Sequence, residues 1–197
     1  MYLKETMIKR RSRYDVMHQS SLSDEAIEDL LTHALKHAPS PYNAQHQRAV
    51  LLLHDAHHEL WELTKTRLKE EVSKDKFPKT EKKLNTFQAA YGTILFFTDQ
   101  PTLDELQTKF PKYANQFALW IDQSQGMFQW MVWAALAEAG MGASLQHYNP
   151  LIDDSVNQTF GIPTTWKLEA QMPFGIAKGE PKEKTFIDLT NRYLVRS

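Results

Sequence analysis

Three arginines, Arg10, Arg11 and Arg13, surround one hydroxyl, Ser12, in the stretch IKRRSRYDV at residues 8–16. Like charges at this spacing repel, so an anion belongs among them, either an acidic side chain or a phosphate. The alternative is a solvated basic helix end, because residues 3–11 read as a short helix with Leu3, Met7 and Ile8 apolar. Three further polar clusters interrupt apolar surroundings. APSPYNAQHQR (38–48) sets Ser40, Asn43, Gln45 and Gln47 between a helix and a strand. SLQHYNP (144–150) brings Gln146, His147 and Tyr148 after the most hydrophobic segment, and NRYLV (191–195) carries Arg192. Taken singly, each fits a capped turn.

Other patterns point away from chemistry. HDAHHELW offers His54, His57 and His58, and the first and last could share a helical face as metal ligands do. No cysteine and no H-E-x-x-H pattern supports them, so they are expected to be surface histidines. AGMGASL (139–145) imitates a dinucleotide fingerprint, but Leu145 stands where the third glycine belongs and a helix precedes it. It reads as a helix end closed by glycine. There is no Walker loop and no G-x-S-x-G elbow. The lysine-rich region 65–83 is interspersed with Glu and Asp, which describes a solvated face.

The elements that must position these groups follow from hydrophobic periodicity. Ser23 is a good N-cap, Asp24 and Glu25 suit the positive helix end, and Ile27, Leu30, Leu31, Ala34, Leu35 and Ala38 keep a helical period. Pro39 and Pro41 stop that helix. RAVLLLH (48–54) and YGTILFFTD (91–99) read as buried strands, and WKLEAQMPFG (166–175) as a third. Between the first two lie a helix over 55–72, a polar break over 73–80 and a helix over 81–90. Pro101 marks another helix start. Residues 113–142 form the longest apolar segment, a central buried helix with Trp120, Met127, Trp130, Met131, Ala134 and Ala137 on one face. ASLQHY is a strand or loop, and the tail KTFIDLTNRYLV is expected as an edge strand. Strands alternating with helices leave α/β and α+β both open.

Composition bounds the rest. The 197 residues suit one domain spanning 1–197 and can bury a substantial core. Hydrophobic residues make up 42% and charged residues 24%, which argues against disorder. A net charge of −1 gives no global pull toward nucleic acid or an acidic membrane. Without cysteine, disulfides, thiolate metal sites and thiol nucleophiles are excluded. No run is long enough to span a bilayer and the N-terminus has no signal-peptide core, so a cytoplasmic location is expected.

Together, RRS (10–12), APSPYNAQ (38–45), EKKLNTFQAAYGTILFFTDQ (81–100), GMFQWMVWAALAEAGMGASLQHYNP (126–150) and WKLEAQMPFG (166–175) resemble the nitroreductase family. The similarity is greatest to the branch of the fungal fatty-acid-repression-mutant proteins and bacterial copper-induced nitroreductases. The resemblance implies an α+β fold, a mainly antiparallel sheet flanked by helices, in a homodimer with a long buried central helix and FMN at the subunit interface. The anion among the arginines is then the FMN phosphate. By the family's pattern Arg10 and Ser12 match phosphate and ribityl contacts, with Arg11 beside them, and Arg192 resembles a C-terminal arginine that closes on the phosphate. Ser40 and Asn43 match a loop offered to the partner subunit's flavin. Lys83 resembles a lysine near the pyrimidine end of the ring, and Gln146, His147 and Tyr148 occupy the segment along it. In many relatives the next basic residue lies two positions after the serine. Here Tyr14 stands there and Arg13 follows the serine directly. The activity implied is a ping-pong NAD(P)H oxidoreductase, with hydride passing from NADH or NADPH to flavin N5 and electrons returning to a nitroaromatic, quinone or similar small aromatic acceptor. Two other readings stand beside it: a flavin-binding regulatory or redox-signalling protein with little turnover, and a helical interaction module without flavin.

Overall fold

The computed structural model describes residues 3–196. Its elements run α1 (Leu3–Lys9), β1 (Val16–Met17), α2 (Asp24–His37), β2 (Gln47–Leu53), α3 (His54–Glu71), α4 (Phe77–Gln88), β3 (Gly92–Asp99), α5 (Gln100–Lys109), α6 (Ala114–Glu138), β4 (Met141–Ala143), α7 (Asp153–Phe160) and β5 (Trp166–Ala177). Short 3-10 turns occupy Pro41–Asn43 and Pro111–Tyr113. The sheet order is β1-β5-β3-β2, β4 also pairs with β5, and every strand pair is antiparallel.

Helices cover both sheet faces, which explains why β3 reads as an unbroken apolar run. Its Ile94 and Phe96 join Ala170, Met172 and Phe174 of β5 against Ile27 and Leu31 of α2 and Phe128, Val132 and Leu136 of α6. Its Leu95 and Phe97 join Leu168 against Leu60 and Trp61 of α3, Leu84 and Phe87 of α4, and Val156 of α7. The helix ends follow local chemistry. Ser23 accepts from Ala26 N at 3.3 Å, and the 139–140 helix end is closed by Gly140 at φ +82°.

Several expectations are corrected. The polar break is shorter than 73–80, because α4 starts at Phe77 with Pro78 in its first turn, where a missing N–H costs nothing. The tail forms no strand among the described residues; 178–196 is mostly exposed. On α6 the face turned to the core is Phe117, Ile121, Ser124, Gln125, Phe128, Val132 and Leu136, whereas Met127 is 50% exposed. Of the six residues expected on one face only Ala134 is buried; the helix is apolar nearly all round, and Ser124 and Gln125 lie within the buried stripe, so hydrophobicity alone did not single out the core side. Strand β1 is only two residues long, and α7 buries only Val156, so neither carries a legible period.

Candidate functional site

After α1 the chain runs along β4. Ser12 bridges Ala143 in parallel, and Arg13 N donates to Ala143 O at 2.8 Å. Gly142 makes this approach possible: a Cβ there would lie 2.8 Å from Arg13 Cβ and from Ala177 Cβ. The arginines then divide. Arg11 donates to Lys182 O at 2.7 Å, and Arg13 to Lys178 O and Gly179 O at 2.7 and 2.6 Å. Arg10 instead lies over the Trp133 ring, with Cζ 4.4 Å from the centroid, and its buried Nε has no hydrogen-bond partner. Burial, followed by the Arg11 charge, lowers the Arg10 pKa from its ordinary value. Ser12 is exposed.

Beyond Ser12, Tyr14 packs toward α4, its ring 6.5 Å from that of Phe87. Tyr14, Lys79, Thr80, Lys82, Lys83 and Thr86 line an open groove of about 510 Å³. Lys83 Nζ stands 5.5 Å from the Phe87 ring and 5.9 Å from the Tyr148 ring, tying α4 to the 146–148 segment. Burial pushes the Tyr148 phenol up to about 12, so it keeps its proton at neutral pH. The segment itself hangs from β5. Gln146 and Gln171 exchange backbone hydrogen bonds at 2.7 and 2.9 Å, and the Gln146 amide donates to Ser144 Oγ at 3.0 Å. Tyr148 N donates to Gln171 Oε1 at 2.8 Å. His147 is exposed. Gln171, fully buried, was not among the sequence candidates, although a glutamine inside the apolar run EAQMPFG is the signal that marks it. The structure thus links Lys83 to Tyr148 across α4, and Ser12 and Gln146 to neighbouring stretches of β4 and β5, while Arg10 packs on Trp133 of α6.

It places the remaining candidates elsewhere. Ser40 Oγ accepts from Gln45 N at 3.0 Å, closing a loop in which Tyr42, Asn43 and Gln45 hold φ near +50° (51°, 53° and 51°). Three left-handed non-glycine residues need strong support. Tyr42 supplies some by stacking on Phe110 at 4.4 Å, and Gln47 donates to Pro39 O at 2.9 Å. The next residue, His46, is fully buried with Nε2 3.4 Å from Ser124 Oγ, and burial pulls its pKa down to about 4. This loop borders the uncovered side of α6, where Pro39–Tyr42, Trp120, Gln123, Ser124 and Met127 line a second groove. Arg192 sits in the exposed tail, its N donating to Leu189 O at 2.9 Å. Among the described residues no hydrogen bond, ion pair or ring contact joins the 38–45 loop or Arg192 to Arg10–Ser12 or to 146–148.

The histidine cluster corrects an expectation. His54 and His58 are exposed, but His57 is fully buried. Its Nε2 lies 3.1 Å from Gln88 O and so carries the proton, leaving Nδ1 to accept from Thr93 Oγ1 at 2.9 Å. Thr93 Oγ1 in turn accepts from Trp61 Nε1 at 3.0 Å. Burial pulls the His57 pKa down to about 4, so the imidazole is neutral and structural. The signal was present: His57 precedes Leu60, Trp61 and Thr64 at helical spacing on the buried stripe of α3. Among the described residues no group of three or more His, Cys, Asp or Glu could hold a metal ion, and no helix is long and apolar enough to cross a membrane.

Comparison with known proteins adds an independent line. The Nitroreductase family model matches residues 7–176. The Saccharomyces cerevisiae nitroreductase FRM2 is 34% identical over 154 residues, covering 78% of this chain and 76% of that one. HBN1 of the same yeast is 32% identical over 188 residues, covering 94% and 93%. The nitroreductase CinD from Lactococcus lactis, solved in complex with 4-nitrophenol, superposes with a TM-score of 0.91 at 37% identity over the full length of both chains.

Proposed function

The chain belongs to the nitroreductase family, and on that footing we propose that it is an FMN-dependent NAD(P)H oxidoreductase that works as a homodimer. In this reading residues 1–197 form one FMN-binding domain, and the acceptors are nitroaromatics, quinones or similar small aromatics. The observation that carries the reading is the unpaired, buried Nε of Arg10, two residues before Ser12 in the basic segment that leads to Tyr14 and its groove. A buried cationic donor without an acceptor is costly, and a phosphate supplies both acceptor oxygens and opposite charge. These residues therefore fit the phosphate end of FMN, with Arg10, Arg11 and Ser12 binding it.

When bound, FMN supplies the two-electron chemistry that links a nicotinamide donor to an acceptor. This chain's residues hold and polarise the cofactor. Lys83 brings a positive charge to the pyrimidine end, where negative charge must be stabilised. Tyr148 retains its phenolic proton as a neutral hydrogen-bond donor, and Gln146 and His147 complete the edge along the ring. Gln171 fixes the position of that edge from β5. No side chain is assigned as proton donor, since the groove is open to solvent. Ser40 and Asn43, remote from Arg10 within one chain, serve the flavin of the second subunit.

The dimer has its own support. Leu119 and Met127 of α6 are 56% and 50% exposed. In the tail, Phe186, Ile187, Leu189, Tyr193, Leu194 and Val195 are 57–78% exposed. That much uncovered apolar surface is characteristic of an interface. A tail laid over a second copy would carry Arg192 to that copy's phosphate. The CinD complex with 4-nitrophenol supports a nitroaromatic as acceptor class. The test is direct. The purified protein is expected to be yellow, and to consume NADH or NADPH when a nitroaromatic or quinone is added. A colourless protein that takes up no added FMN refutes the reading. A yellow protein without turnover leaves it a flavin-binding regulatory protein.

A further inference from the structure

Two buried N–H donors without partners lie side by side in this molecule. One is Arg10 Nε, and the other is Nε1 of Trp133, on whose ring the Arg10 guanidinium rests at 4.4 Å. Neither can satisfy the other, because both only donate. Among the described residues no carboxylate forms an ion pair with Arg10. Such a region is rich in donors and short of an acceptor.

We propose that Trp133 is a positioning residue for the phosphate end of the flavin site, a role that rests on the FMN reading above. Its indole face is the shelf that orients the Arg10 guanidinium and keeps water from one side of it. The shelf is rigid because Trp133 projects from the last two turns of α6 and packs beside the core that contains Phe128, Val132 and Leu136. Arg10 is held at the other end by its own backbone, whose N donates to Thr6 O at 2.9 Å. A planar guanidinium fixed at its root and along one face offers its N–H groups in a set direction. Arg11 and Arg13 have no such shelf, and their guanidinium groups are engaged by tail carbonyls. Phosphate discrimination therefore depends on the Arg10–Trp133 pair more than on the number of arginines.

The experiment is a titration of flavin-free protein with FMN and with riboflavin, which lacks the phosphate, read by flavin fluorescence quenching. Trp133→Met fills a similar volume without a ring, and Trp133→Phe keeps a ring face. The expected result for Trp133→Met is a roughly 3- to 30-fold fall in the FMN-to-riboflavin affinity ratio, the range of one aromatic–cation contact. Trp133→Phe should retain the ratio to within about threefold. In an Arg10→Ala background, Trp133→Met should leave the ratio unchanged, because the shelf acts only through Arg10. Equal weakening of FMN and riboflavin in Trp133→Met would mean a purely structural role and overturn the proposal. An unchanged ratio in that variant overturns it too, while leaving the phosphate reading intact. If the wild-type protein itself binds both flavins equally, the phosphate reading fails, and the role of Trp133 fails with it.

Discussion

Arg10→Ala separates cofactor binding from folding more cleanly than any other substitution in this chain. Arg10 is half-buried, makes no ion pair among the described residues and leaves Nε unpaired. Removing it forfeits an aromatic–cation contact of about 0.5–1 kcal/mol. It also relieves an unsatisfied buried donor, a gain of about 1 kcal/mol. The two nearly cancel, so the urea midpoint of the flavin-free protein should move little, corresponding to less than about 1 kcal/mol. Binding behaves differently. A charge-assisted hydrogen bond contributes about 1.5–3 kcal/mol, and an arginine presents a fork of donors to a phosphate. A loss of about 2–3 kcal/mol weakens FMN roughly 30- to 150-fold, while riboflavin binds almost as before. Arg13→Ala should matter less, because its guanidinium is engaged by Lys178 O and Gly179 O. Fluorescence titration with both flavins gives the affinities, and urea unfolding gives the stability. If Arg10→Ala binds FMN as tightly as wild type, the arginines are only a solvated helix end and residues 10–12 are not the phosphate site.

Three further outcomes follow from the fold. His46 and His57, held near pKa 4 when folded against an ordinary 6.5, bind more protons unfolded. Stability from each is complete above about pH 6.5 and is lost as pH falls toward 4, at up to about 1.4 kcal/mol per pH unit per histidine. Asp153, raised to about 6 chiefly by burial and next by Asp154 and Glu169, opposes this slope over the same window. His57→Gln should therefore flatten the pH dependence of urea unfolding between pH 6.5 and 4 by up to one proton; an unchanged slope refutes the neutral assignment. Gly175→Ala should destabilise by about 2–3 kcal/mol, read as a lowered Tm, since its Cβ would lie 2.3 Å from Met17 O. Met127→Glu puts a charge on the half-exposed side of α6. Sedimentation equilibrium should show a wild-type dimer at micromolar concentration and a weakened one in this variant. A monomeric wild type that retains flavin sinks the dimer assignment.

Legibility in the sequence tracks how local the governing physics is. The cap at Ser23, the stop at Pro39 and the run of β3 are decided within a few residues, and each was readable. The buried side of α6 was not, because it includes Ser124 and Gln125, which a hydrophobic ranking assigns to solvent. His57 was misjudged for a related reason: a partner set from α4 and β3, Gln88 and Thr93, makes its burial affordable, and nothing in HDAHHELW announces those partners. At the candidate site, the expected grouping of Arg10, Ser12, Lys83 and the 146–148 segment came from family resemblance rather than from spacing; strand pairing sets Ser12 beside Ala143 and Gln146 beside Gln171, contacts that no local pattern announces. The division of labour among the arginines was invisible in the sequence. It depends on carbonyls 165 to 171 residues away.

Those same carbonyls give the tail a defined root. Arg11 grips the chain at Lys182, so every residue beyond it hangs on a tether whose origin lies next to the basic segment. Arg192 lies ten chain steps beyond Lys182, and an extended chain spans at most about 3.3–3.6 Å per residue. The reach of Arg192 from its root is therefore at most about 36 Å, about the width of one subunit. In the proposed homodimer, a guanidinium on so short a leash would reach the adjoining subunit and nothing farther. Its local concentration at any site within that radius is set by the tether's length. Lengthening or shortening the 183–191 stretch would tune it without touching a single contact in the folded body.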